Sequence, residues 1–115
     1  MTVDKQVAAL TERRRQMLAV LIDDMRPRSE GDRSRFVEEV ESEFDAAEAK
    51  LLRATNLFNA LTLAASKLKT SEDRSKVEEA RDYAGGNMDA AAEIYSDQTE
   101  RRVLAYEALD QLKGR

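Results

Sequence analysis

The amino-acid sequence predicts an all-α protein, an antiparallel bundle of three long helices packed in the manner of a coiled coil. The main reason is a seam of apolar residues at alternating spacings of three and four, which is typical of a helix packed lengthwise on other helices. The seam consists of Val37, Val40, Phe44, Ala47, Leu51, Ala54, Phe58, Leu61, Ala65 and Leu68. The second reason is that four glycines and one proline leave few places for turns in 115 residues.

The first helix is expected over about residues 2–26. Thr2 is a suitable N-cap, and Pro27 limits the other end because proline lacks an amide donor. The apolar stripe of this helix is formed by Val3, Val7, Leu10, Met17, Leu21 and Met25.

The second helix carries the seam and is expected over residues 33–69, after a loop at residues 27–32. Asp32 is the expected N-cap, because its short carboxylate can accept a hydrogen bond from an amide of the first turn. A capping box at residues 70–73, with Thr70 as the N-cap, then begins the third helix. We expect this turn to send the third helix back antiparallel along the second.

The third helix contains two adjacent glycines, Gly85 and Gly86, which together destabilise a helix interior by roughly 2 kcal/mol relative to alanine. We therefore expect the helix to bend there, or to split into helices over residues 71–84 and 87–113. The split form would be a four-helix bundle. We also expect one of the glycines to adopt a positive φ, so that replacing both with alanine would harm the fold.

The helix lengths predict where the bundle is incomplete. The first helix is shorter than the second and is expected beside residues 33–57. Residues 58–69 would then pack mainly against residues 72–84, which are mostly charged. The bundle would change there from three helices to two, within a single domain that spans residues 1–115.

The residues needed for most catalytic chemistry are absent from the sequence. There is no histidine and no cysteine, which excludes a Ser-His-Asp triad, a cysteine nucleophile and an ordinary zinc site. There is also no glycine-rich phosphate-binding loop. We therefore expect a protein that is not an enzyme and that holds no cofactor and no metal.

The charge distribution argues against general nucleic-acid binding. The formal net charge is −4 and the pI is near 5.0, whereas nucleic-acid binders neutralise phosphates with lysine and arginine. A local cluster of arginines still offers an alternative function, the binding of an anionic ligand or of nucleic acid. Its members are Arg26, Arg28, Arg33 and Arg35. Neighbouring carboxylates offer the other interpretation, a salt-bridged and solvated surface.

The strongest candidate for function is an apolar surface where the second helix extends beyond the first. Exposed leucines in a highly charged protein usually mark a contact site. The predicted interface consists of Leu57, Leu61, Leu63, Leu68, Val77 and Tyr83. The leading hypothesis is a non-catalytic helical module that binds a protein partner, as an adaptor, a small acidic chaperone or an inhibitor. The alternative is a structural subunit of a homodimer or a larger assembly. If this surface is not the interface, the acidic run over residues 38–48 is the next candidate.

The sequence also predicts a cytoplasmic protein. The longest stretch without a charged residue, residues 54–66, has 13 residues and is too short to cross a bilayer. The N-terminus lacks the basic-then-apolar order of a secretory signal, and without cysteine no disulfide supports the fold.

Overall fold

The computed structural model describes residues 3–113 and contains three α-helices. Helix α1 spans Val3–Met25, α2 spans Glu30–Lys67 and α3 spans Ser71–Lys113. No strand lies within these residues, so the predicted all-α fold of three helices is confirmed. None of the three helices, over the described positions, is long and apolar enough to cross a membrane. The expected N-cap of α1, Thr2, lies outside the described residues.

Helix α3 is continuous, so the predicted split and the four-helix alternative are wrong. Residues 71–84 and 87–113 belong to the same helix, and neither Gly85 nor Gly86 has a positive φ. The reason for Gly85 is packing, because a Cβ at this position would lie 3.2 Å from Cε2 of Phe58 on α2. A glycine that allows close approach between two helices does not have to interrupt either of them.

Helix α2 begins earlier than predicted because Ser29, and not Asp32, is its N-cap. The Ser29 hydroxyl accepts a hydrogen bond from the Asp32 amide at 3.1 Å, and the Ser29 carbonyl accepts one from the Arg33 amide at 3.0 Å. Thr70 caps α3 as predicted, since its hydroxyl accepts a hydrogen bond from the Asp73 amide at 3.2 Å. Both caps satisfy amides that the first helical turn leaves without a partner.

The seam predicted for the second helix is the buried face of α2 as far as Ala65, and Leu68 lies just beyond the end of that helix at Lys67. All residues of the seam are buried or partly buried. Phe58 lies against Gly85, and Phe44 contacts Tyr95 with ring centroids 5.4 Å apart. The later residue of α2, Phe58, contacts the earlier residue of α3, Gly85, and the earlier residue, Phe44, contacts the later one, Tyr95. The two helices therefore run antiparallel.

The chain packs into two compact units, and α2 and α3 contribute to both of them. One unit comprises the chain up to Glu41 together with the chain from Glu100 onward, and it contains α1. Its buried apolar residues are Ile22, Met25, Val40, Leu104, Ala105 and Ala108. The predicted single domain over residues 1–115, and the placement of the first helix beside residues 33–57, stay predictions.

The second unit, Ser42–Thr99, is a hairpin of two helical segments. Its buried hydrophobic residues are all alanines, namely Ala47, Ala65, Ala84 and Ala91. Small side chains between two helices allow a short interaxial distance. They do not cover the larger apolar side chains on the flanks of the seam, so those side chains stay partly open to solvent.

Candidate partner-binding site

An apolar groove runs between α2 and α3 within the Ser42–Thr99 unit. It is lined by Leu57 and Leu61 from α2 and by Tyr83 from α3, and its volume is about 530 Å³. The other lining residues, all from α3, are Lys76, Glu79, Ala80, Ala84 and Asn87. We refer to this site as the Leu57/Tyr83 groove.

The largest side chains of the Leu57/Tyr83 groove are open to solvent. Leu57 is 55% exposed and Tyr83 is 76% exposed, whereas Leu61 is partly buried. Leu57 and Leu61 are four residues apart and therefore neighbours on one side of α2. Ala80 and Ala84 are neighbours on α3 for the same reason, but their methyl groups are too short to cover the leucines. The groove therefore combines two alanines of α3, of which Ala84 is buried and Ala80 is exposed, with the larger side chains of Leu57, Leu61 and Tyr83.

The structure brings together three of the six residues predicted to form an interface, namely Leu57, Leu61 and Tyr83. Leu68 and Val77 are partly buried and do not line the groove. Leu63 is 57% exposed, but it lies on another face of α2. Two residues along a helix correspond to a rotation of about 200°, which carries Leu63 away from Leu61.

Sequence reasoning missed most of the α3 side of the groove. Lys76, Ala80, Tyr83 and Asn87 follow spacings of four, three and four, which is the pattern of residues on one helix face. This spacing is the sequence signal that places the four residues on one side of α3. It is weak as a sign of an apolar groove, because only Tyr83 among the four is a large apolar residue.

The arginines predicted as an anion site all have protein partners. Arg33 donates hydrogen bonds to the carbonyl oxygens of Met25 at 2.9 Å and Arg26 at 2.7 Å, and thereby satisfies the C-terminal end of α1. The other three form local ion pairs, Arg26 with Asp23 at 3.5 Å, Arg28 with Asp24 at 3.0 Å and Arg35 with Asp32 at 3.6 Å. These contacts account for the cluster without a bound anion.

A carboxylate of the acidic run links α2 to α3 in the unit that contains α1. Oε1 of Glu41 accepts a hydrogen bond from the Tyr106 hydroxyl at 2.6 Å and another from Nε of Arg102 at 2.7 Å. The hydrogen bonds from Tyr106 and Arg102 hold the pKa of Glu41 below its ordinary value of 4.5. The same contact raises the pKa of Tyr106 above its ordinary value of 10.0, because the neutral phenol is the donor.

Within residues 3–113, no group of three acidic side chains is arranged to hold a metal ion. Comparison of the chain with protein-family models, with curated proteins and with solved structures gave no match.

Proposed function

We propose that the protein is a non-catalytic interaction module that binds an amphipathic helix of another protein in the Leu57/Tyr83 groove. The observation that carries the proposal is the exposure of Leu57 (55%) and Tyr83 (76%) along one groove. In a chain of which 37% of the residues are charged, large apolar side chains gathered in an open recess are typical of a contact site.

A helix is the partner geometry that fits a recess between two antiparallel helical segments. Side chains at spacings of three and four on such a helix can pack between the side-chain rows of α2 and α3. In the unit that contains α1, Ile22 and Met25 of α1 are buried. In the Ser42–Thr99 unit the chain supplies two helical segments, and we infer that a partner supplies a third.

The chemistry of the groove also suits a protein partner. Its large lining residues include Leu57, Leu61 and Tyr83, and Lys76 and Glu79 are charged members of the same lining. Protein interfaces usually combine such apolar and aromatic contacts with polar ones. We expect Tyr83 to contribute most to the affinity, because a tyrosine ring buries a large area and has few rotatable bonds.

The biological role that follows is that of an adaptor, a small chaperone or an inhibitor, each of which requires an open surface for a partner. The rival function is a structural subunit that uses the same groove to assemble with further copies. Sedimentation of the purified protein over a concentration series separates the two. The proposal predicts that Leu57→Glu does not change self-association, whereas assembly through the groove predicts that this substitution abolishes it.

The direct test is affinity capture from the native cell extract, read out by quantitative mass spectrometry. The bait proteins are the wild type, Leu57→Glu and Tyr83→Glu, with Leu63→Glu as the matched control. Leu63 is exposed to nearly the same extent as Leu57 but lies outside the groove. We expect a partner that is captured by the wild type and by Leu63→Glu and is lost with the other two baits.

All the bait proteins should remain folded, because substitutions at exposed positions usually change the free energy of unfolding by less than about 0.5 kcal/mol. Circular dichroism checks this point. If Leu63→Glu loses the partner and Leu57→Glu retains it, the groove is the wrong surface and the other face of α2 is the interface.

A further inference from the structure

A second apolar recess lies along α1, within the unit that contains this helix. Met17, Val20 and Leu21 form its apolar part, and Arg13, Gln16 and Asp24 complete its lining. Met17 is 37% exposed and Val20 is 69% exposed, and the recess has a volume of about 550 Å³. The Leu57/Tyr83 groove shares no residue with it, so it is a separate surface.

The lining residues of this recess follow the pattern of a coiled-coil seam. Arg13, Met17, Val20 and Asp24 are separated by four, three and four residues, which places them in one row on the helix. The row has apolar residues in the middle and one charge at each end. The two end charges have opposite signs.

This row is complementary to itself when two copies of α1 meet antiparallel. Arg13 then faces the partner's Asp24, and Met17 faces the partner's Val20. Each contact occurs twice, as two-fold symmetry requires of an interface between identical surfaces. A parallel arrangement would instead place Arg13 against the partner's Arg13, and like charges directly opposite each other are unfavourable.

We propose that this face of α1 binds the same face of a second copy of the chain in an antiparallel, two-fold symmetric pair. Charge complementarity supports a second copy of the chain as the binding partner of this face. Among the residues that the structure describes, Arg13 has no ion-pair partner, while Asp24 is engaged only by the exposed side chain of Arg28 at 3.0 Å. The second copy provides Arg13 with a carboxylate and covers Met17 and Val20.

The pair is small, so the association is weak and depends on concentration. Two apolar layers and two ion pairs bury much less surface than a standard interface, and small interfaces of this kind are transient. The inference goes beyond the proposed function, because it concerns another surface. Leu57→Glu should therefore leave the self-association unchanged.

The test is analytical ultracentrifugation of the full chain over a concentration series that extends into the millimolar range. The wild type should show a monomer–dimer equilibrium. Arg13→Glu places an acidic group against the partner's Asp24, and Asp24→Arg places a basic group against the partner's Arg13. Either substitution should raise the dimer Kd by tenfold or more.

The double variant Arg13→Glu/Asp24→Arg exchanges the two charges and should restore the wild-type Kd. An equimolar mixture of the two single variants should also dimerise with a Kd near that of the wild type, although each variant alone dimerises at least tenfold more weakly. Arg15→Glu is the matched control, because position 15 is rotated by about 200° from position 13, and it should leave the Kd unchanged. Circular dichroism of each variant verifies that the helices remain formed.

The proposal is overturned if the wild type stays monomeric over the whole series. It is equally overturned if the single variants dimerise as strongly as the wild type. Failure of the double variant to recover the wild-type Kd would contradict the antiparallel arrangement. A mixture of the single variants that dimerises more strongly than the wild type would indicate a parallel pair, because only parallel pairing places like charges opposite each other in the wild type and opposite charges in the mixture.

Discussion

Gly85 of α3 lies directly against the ring of Phe58 of α2. A Cβ at position 85 would be 3.2 Å from Cε2 and 3.5 Å from Cδ2 of that ring, whereas a Cβ at position 86 would meet nothing within 4 Å. The two adjacent glycines therefore differ in their role. Gly85 allows α3 to approach α2 closely, and Gly86 has no packing reason to lack a side chain.

The two glycines should respond differently to alanine. Gly86→Ala should raise the free energy of unfolding by about 1 kcal/mol, because alanine has the higher helix propensity and the position is open. Gly85→Ala gains the same propensity but forces the partly buried ring of Phe58 to move. We expect it to be less stable than Gly86→Ala by at least about 1 kcal/mol.

Urea denaturation of the two single variants provides the measurement, with the wild type as the reference. An equal gain in stability for both alanine variants would show that Phe58 yields without cost, and that the close approach at Gly85 does not constrain the sequence.

The N-cap of α2 gives a second prediction. Ser29→Ala removes the hydroxyl that accepts a hydrogen bond from the Asp32 amide and should lower the free energy of unfolding by about 1 kcal/mol. Asp32→Ala removes an exposed carboxylate of the first turn together with its exposed ion pair to Arg35, and should cost a few tenths of a kcal/mol. Thermal denaturation of both variants checks the order. A larger loss for Asp32→Ala would show that the cap is at Asp32, as the sequence alone predicted.

Glu41 gives the stability a specific dependence on pH. Its pKa is lower in the folded protein than its ordinary value of 4.5, so the ionised carboxylate stabilises the fold above the unfolded-state pKa. That contribution is lost as the pH falls through the folded-state pKa. The stability difference between the wild type and Glu41→Gln should therefore be constant near neutral pH and should shrink on acidification below about pH 4.5.

Urea midpoints measured over an acidic pH series test this expectation, with Glu38→Gln as a control on the same acidic run. Tyr106→Phe removes the hydrogen bond that lowers the pKa of Glu41 most. In that variant an NMR titration of the Glu41 carboxyl carbon should give a pKa closer to the ordinary value. Identical acid profiles for the wild type and Glu41→Gln would mean that the contact with Tyr106 and Arg102 does not persist in solution.

The sequence predicted those parts of the structure that depend on periodicity. The seam from Val37 to Leu68 identified α2, its buried face and the lengthwise packing, because a spacing of three and four has few other physical explanations. The sequence predicts Thr70 as a cap because the capping motif is local. It does not single out Ser29, because Asp32 offers an equally good capping side chain three residues later.

The parts that escaped prediction depend on contacts between helices. From the sequence, Gly85 resembles a helix breaker because helix propensity is a local property. The reason for a glycine at this position is the ring of Phe58, which is distant in the sequence. The sequence places Leu63 with Leu57 because both lie at or beyond the expected end of the three-helix region. The helical rotation between positions 57 and 63 puts these leucines on different faces of α2. The position of α3 beside α2 then shows that Leu57, and not Leu63, lies in the groove.

Photo-crosslinking from within the Leu57/Tyr83 groove tests whether this groove binds a helix of another protein. The photoreactive amino acid p-benzoylphenylalanine replaces Tyr83 in one version of the full chain and Leu63 in the other, and the cells are irradiated before lysis. Both positions are exposed, and only position 83 lines the groove.

We expect a discrete crosslinked partner from position 83 and none from position 63. The crosslinked peptide, identified by mass spectrometry, should carry apolar residues at the spacing of an amphipathic helix. A discrete partner crosslinked from position 63 and not from position 83 would show that the groove is not the binding surface. The absence of any crosslinked partner from position 83 would show the same.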